Sequence, residues 1–201
     1  MGYVRLRPRP WPCKQDEDKR AAFLVTIDAL KNDSNVELWF GDECGIEGDP
    51  KPRARLAKKG SRPRVDYTGK HIRANVVGAL SWFSGLFVSL ILPYVNSETF
   101  QLFLDEMNRY VDPAKRVILV LDNASWHNVK SLDWGRIEPL FLPPYSPDFN
   151  PIEILWRVLK ENFFTWFVAK SHDHHEDQVE KALAYYHRNP EQCRTIVGGN
   201  R

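Results

Sequence analysis

The chain has 201 residues, with 28 Lys and Arg against 26 Asp and Glu for a formal net charge of +2 at pH 7, a length that suits one well-buried domain with extensions. Its three cysteines, Cys13, Cys44 and Cys193, have neither an even count nor metal-site spacing, which argues against a secreted disulfide scaffold and for a reducing compartment. No apolar run approaches the roughly eighteen residues of a transmembrane helix, and no signal peptide or repeat is evident, so the expectation is a cytoplasmic protein with no membrane partner.

Residues 1–20 are basic and proline-rich and then charged, as in a linker or arm. Arg5, Arg7 and Arg9 beside Trp11 suit a grip on phosphates, or equally a solvated tail. A helix is predicted over Asp18–Asn32, with Ala22, Phe23, Ile27 and Leu30 inward. Next comes a strand, Val36–Glu43, that ends in acid. Adjacent strand residues point to opposite faces, and Asp42 shares parity with Leu38 and Phe40. From Lys51 to Arg73 nine Lys and Arg face a single acid, Asp66, the electrostatic footprint of a polyanion partner. Ala74–Ser81 and Gly85–Leu92 form a predicted hairpin around Trp82-Phe83-Ser84. Ser97 caps a helix running to about Tyr110, with Phe100, Phe103, Leu104 and Met107 inward.

Val117–Leu121 is a continuous apolar run whose β-branched content suits a strand buried on both faces, and it ends in Asp122. Asn123, Ala124 and Ser125 stop it. A short apolar piece, Leu140–Leu142, runs into Pro143-Pro144, and Asn150-Pro151 starts a helix, with Asn150 as N-cap. Ile152, Leu155, Trp156, Leu159 and Phe163 form its inner face; Glu153, Arg157 and Lys160 lie opposite. Asp173–Arg188 is a last amphipathic helix, with His172, His174 and His175 at its start, neighbours that cannot all face one ion. Gly198-Gly199 marks a frayed end. Strand, hairpin, helix, strand, short strand, helix is the order of an RNase H-like α/β fold, a mixed central sheet with flanking helices. In that order the Val36 and Val117 strands lie side by side.

Acids delivered to one sheet edge by separate elements suit hard divalent cations, which take oxygen ligands. Asp42, Asp122 and Glu153 are such a set. Each alone has a plainer reading: Asp122-Asn123 as a turn, Glu153 as a capping-box partner of Asn150, Asp42 as one more strand-end acid.

The segments LWFGDECGI, VLDNASWH and LPPYSPDFNPIEILWRVLKENF, in this order across roughly residues 36–165, resemble the three signature blocks of the DDE transposase catalytic domain of the IS630/Tc1/mariner superfamily, on the IS630 side. The resemblance implies that Asp42, Asp122 and Glu153 are the catalytic triad and hold two Mg²⁺ or Mn²⁺ ions, with Glu43, Asn123 and His127 in support. His127, in a DNxxxH pattern, would orient a water, touch DNA or hydrogen-bond the loop backbone. The resemblance further implies cleavage and strand transfer on double-stranded DNA, at transposon ends and a TA target, with contacts from Arg53, Arg55, Lys58, Lys59, Arg62, Arg64, Arg157 and Lys160. A homo-dimer on DNA, a separately encoded helix-turn-helix partner and a bacterial, nucleoid-associated setting go with it. The expected organisation is an arm at 1–20, the catalytic domain at 21–170 with its basic insert at 50–73, and a C-terminal helix and tail at 171–201. Two alternatives stand beside this: a non-catalytic DNA-binding or regulatory fragment, and a stand-alone RNase H-like nuclease.

Overall fold

The computed structural model describes residues 15–54 and 56–198. Arg5, Arg7, Arg9, Trp11, Cys13, Arg55 and Gly199 lie outside the described residues.

Five strands, β1 (Val36–Glu47), β2 (Arg73–Ser81), β3 (Phe87–Leu92), β4 (Arg116–Leu121) and β5 (Ile137–Phe141), form one mixed sheet in the order β3-β2-β1-β4-β5. The β1–β2 and β2–β3 pairs are antiparallel; β1–β4 and β4–β5 are parallel. Five helices cover the faces: α1 (Glu17–Lys31), α2 (Ser97–Met107), α3 (Ile152–Phe164), α4 (His172–His187) and α5 (Pro190–Gly198).

Strand alternation divides the core into two layers. Trp39, Val77 and Leu119 face α2, whose Phe100, Phe103, Leu104 and Met107 are fully buried. Leu38, Phe40, Ile118 and Val120 face the opposite layer, built from α1, α3, α4 and α5. The mixed α/β sheet expected from the order of elements is thus present, with the Val36 and Val117 strands adjacent and parallel.

Several local expectations are corrected. β1 does not stop at Glu43 but runs to Glu47, still paired with β2, so the acids sit within a strand and not at its end. Ala22 is exposed, because α1 rests on the sheet by a narrow stripe of Phe23 and Ile27. Asn96, not Ser97, caps α2, in a reciprocal box with Thr99, and α2 ends at Met107. On α3 the inner aromatic is Phe164; Phe163 is half-buried against Tyr185 and Tyr186. After Arg188, where a tail was expected, a helix runs through Gly198 and buries Cys193 and Val197. β5 begins before the expected apolar piece and includes Pro139, which an outermost strand tolerates.

One glycine sets the spacing between α3 and the sheet. Gly78 pairs with Asp42 across β1–β2, and a Cβ there would meet the Trp156 ring at 2.8 Å and Phe87 at 2.9 Å. Trp156 therefore lies against bare backbone, and the first turn of α3, which carries Glu153, comes down beside Asp42.

Candidate active site

Parallel pairing matches Phe40 with Val120, and the same register carried two residues further sets Asp42 level with Asp122. Both share parity with Phe40 and Val120, so both belong to the layer that α3 covers. β4 ends at Leu121 while β1 continues, so Asp122 stands free of the ladder beside a strand that runs on. The crowding of acids is felt most by Asp42: burial, then the charges of Glu43, Glu153 and Asp122, push its carboxyl up to about 7. Glu153 is also raised, by burial and by Asp122 and Asp148, with Lys160 opposing. Its place in the first turn of α3 favours the charged form, since a helix N-terminus attracts anions.

Asp122 is held from behind. Its Oδ1 accepts from the Ala124 N–H at 3.0 Å and lies 3.1 Å from His127 Nδ1. The other ring nitrogen of His127 is 2.8 Å from Glu43 Oε1, which also accepts from Trp126 Nε1 at 3.0 Å. His127 is buried, with its ring 4.5 Å from that of Phe100. Burial disfavours its charge, but the hydrogen bonds to Asp122 and Glu43 outweigh this and raise it to about 9. His127 is therefore an imidazolium clamped between two carboxylates. Of its expected roles, the loop backbone bond is present, to Asp122 O at 3.2 Å; its burial leaves no surface for DNA or bulk water.

Glu43, Asp122 and His127 bring ligand atoms within 4.8 Å of one another. Both ring nitrogens of His127 are already engaged, Nδ1 by Asp122 and Nε2 by Glu43, so in this arrangement the trio is an ion cluster that orients Asp122, with the bonds from His127 and Ala124 both falling on Oδ1. Asn123 donates to Leu142 O at 2.6 Å, tying the loop after β4 to the exit of β5.

Asn150 departs from its expected role. Its backbone is extended and Pro151 is helical, as at a helix start, but its side chain caps nothing. It donates instead to Gly41 O at 2.9 Å, buried, one residue from Asp42. Sequence reasoning missed this bond because Asn-Pro is an ordinary capping signal. It missed Trp126 and Arg20 as well; the only signal for Trp126 was its place beside His127.

Cavities flank Glu153 on both sides. One, of about 600 Å³, is lined by Asp42, Glu153, Lys51, Arg53, Arg157 and Lys160; the other, of about 610 Å³, by Asp42, Asp122, Asn123, Trp126, Tyr145 and Glu153. Lys160 lies beside Cys44 and Glu153, and the Cys44 thiol is raised by burial in spite of it. Arg53 forms an ion pair with Glu161, and Arg157 Nε lies 4.0 Å from the same carboxylate. Lys58, Lys59, Arg62 and Arg64 are exposed in the segment between β1 and β2, whose described residues form no helix or strand.

The family of DDE superfamily endonucleases matches residues 37–174. An uncharacterized protein of Sinorhizobium fredii is 36% identical over 101 residues, 50% of this chain and 75% of that protein. An uncharacterized 39 kDa protein of insertion element IS630 from Shigella sonnei is 28% identical over 153 residues, and the match spans 43% of its length. Among solved structures, the Mos1 transposase paired-end complex with left transposon end aligns with a TM-score of 0.70 at 18% identity, covering 99% of this chain and 68% of that one. The catalytic domain of Mos1 mariner transposase aligns at 0.62 and 18% identity, covering 96% of this chain and 97% of that one. At such identities these structures establish the fold, RNase H-like in this case. None of the described helices is long and apolar enough to cross a membrane. The chain belongs to the DDE superfamily of endonucleases.

Proposed function

We propose that this chain is the catalytic domain of a DNA transposase and that Asp42, Asp122 and Glu153 are its divalent-cation ligands. The observation that carries this is that three carboxylates, from β1, the end of β4 and the first turn of α3, line one cavity, where burial first and then repulsion by neighbouring acids raise Asp42 to about 7. Acids packed this closely await a positive partner, and an all-oxygen set of this kind suits Mg²⁺ or Mn²⁺.

Two such ions, when bound, supply the charge neutralisation that in-line attack at phosphorus requires. The chain's own groups do the rest. Glu43 and His127 fix Asp122 through Oδ1 and leave Oδ2 for a ligand. Trp156 against Gly78 sets the height of Glu153 above the sheet. Lys160 offsets the negative charge beside Glu153, and the exposed insert gives a DNA backbone its counter-charge. Water attack nicks the strand, and the freed 3′-OH attacks target DNA in a second step of the same geometry. Action at TA sites, a dimer on DNA and a helix-turn-helix partner rest on the family resemblance alone.

The test is nicking of supercoiled plasmid with Mg²⁺ or Mn²⁺. The chain should cleave, and Asp122→Asn and Glu153→Gln should each abolish cleavage while keeping DNA binding. Cleavage that survives both substitutions would refute the triad; DNA binding without cleavage by the unaltered chain would favour the regulatory fragment.

A further inference from the structure

The turn that feeds α3 has little backbone structure of its own. Pro143, Pro144, Pro147 and Pro151 remove donors, Tyr145 sits at φ 57°, and one 3-10 turn over Pro147–Phe149 is all the regularity it has. Side chains hold it instead, and most come from α1. Arg20, 8% exposed, donates from its guanidinium to both carboxylate oxygens of Asp148 at 3.1 and 2.8 Å and to Ser146 Oγ at 2.8 Å. It also lies 4.1 Å over the Phe149 ring, which Phe23 stacks upon at 5.8 Å. On the far side, Asn150 is bonded to Gly41 O.

We propose that Arg20 is a positioning residue for Glu153: by locking the Ser146–Phe149 turn between α1 and β1, it sets the place at which α3 begins and hence where the Glu153 carboxylate stands relative to Asp42 and Asp122. This rests on the cation-binding reading of those three acids. A bidentate, buried guanidinium fixes geometry in a way that a surface ion pair does not. Only Pro151 and Ile152 separate Asn150 from Glu153, so a displaced turn is a displaced ligand.

Electrostatics alone predicts the opposite effect. Asp148 is close enough to disfavour charge on Glu153, and Arg20 neutralises Asp148. Removing Arg20 would leave an extra uncompensated anion near the site and tighten cation binding. Positioning predicts that the same change weakens it.

The experiment is calorimetric titration of the full chain with Mn²⁺, alongside thermal unfolding in chelator. Arg20→Gln should weaken Mn²⁺ binding on the order of tenfold, the usual effect of losing a group that orients a ligand. Arg20→Lys, which lacks the planar fork, should recover part of this. Ile27→Ala loosens α1 without touching the turn, and should lower the melting temperature while leaving Mn²⁺ affinity unchanged. Phe149→Leu changes no charge and should weaken Mn²⁺ several-fold, which tests the idea even if Arg20→Gln fails to fold. Binding by Arg20→Gln as tight as or tighter than the unaltered chain would overturn the proposal, as would unchanged binding by Phe149→Leu. If the unaltered chain takes up no Mn²⁺, the cation reading itself falls and this inference falls with it.

Discussion

Replacing Asp42 by Asn should stabilise the metal-free protein, and the gain should grow with pH. The Asp42 carboxyl is raised from 3.8 to about 7 in the fold, by burial and then by Glu43, Glu153 and Asp122. A folded-state pKa above the unfolded value means that the fold binds the proton more tightly than the unfolded chain does. Stability is therefore full below about pH 4 and falls as pH rises toward about 7. The shift sets a ceiling of about 4 kcal/mol at about 1.4 kcal/mol per unit, and relaxation of the crowded carboxylates reduces this to roughly 2 kcal/mol. For a chain of this size that is on the order of 5 °C in melting temperature. Thermal unfolding in chelator, at about pH 5 and about pH 8, compares the two proteins. The unaltered chain should lose stability across this interval relative to Asp42→Asn. A saturating excess of Mn²⁺, near a hundred times the dissociation constant, should reverse the ranking by adding about 2.7 kcal/mol to the unaltered chain alone. Curves that stay parallel in pH would refute the crowding argument, and with it the physical basis for a cation site here.

His127→Gln removes an imidazolium raised from 6.5 to about 9, so it should cost about 3 kcal/mol below pH 6.5 and progressively less as pH climbs through 9, measured by urea denaturation. Replacing Lys58, Lys59, Arg62 and Arg64 together by Ala should weaken DNA binding and lower the slope of log affinity against log salt by up to about 3 to 4, at about 0.9 per phosphate contact, as read by fluorescence anisotropy. Thermal stability should be unchanged, because these side chains are exposed. Gly78→Ala forces Trp156 outward and should cost about 1–3 kcal/mol, with plasmid nicking reduced by more than the lost stability explains.

The sheet and the grouping of the acids were legible because both are periodic signals. Val117–Leu121 reads as a buried strand from its apolar run alone, and the parity of Asp42 with Leu38 and Phe40 assigns its face without any structure. What was not legible depends on distant partners. The continuation of β1 through Cys44–Glu47 mixes acid with small and apolar residues, and only its partner β2 shows that it is strand. The tail expected after Arg188 holds α5, which Pro190 opens, since proline fits the first turn of a helix. Arg20 sits in a run of charges that looks solvated, and its burial follows from Asp148, 128 residues away. His127 was legible as part of a pattern, but its role was not, because Glu43 reaches it from another strand.

Pro139 occupies the middle of β5, the outermost strand on its side of the sheet. A strand that lacks one amide donor is a poor template for another, and neighbouring Glu138, paired with Arg116, adds charge to the same border. The sheet is in this sense finished on that side: a second copy of the chain cannot extend it strand upon strand. A sheet continued from one such domain into another would have to start from the opposite edge, β3, because the β5 border offers no ready template.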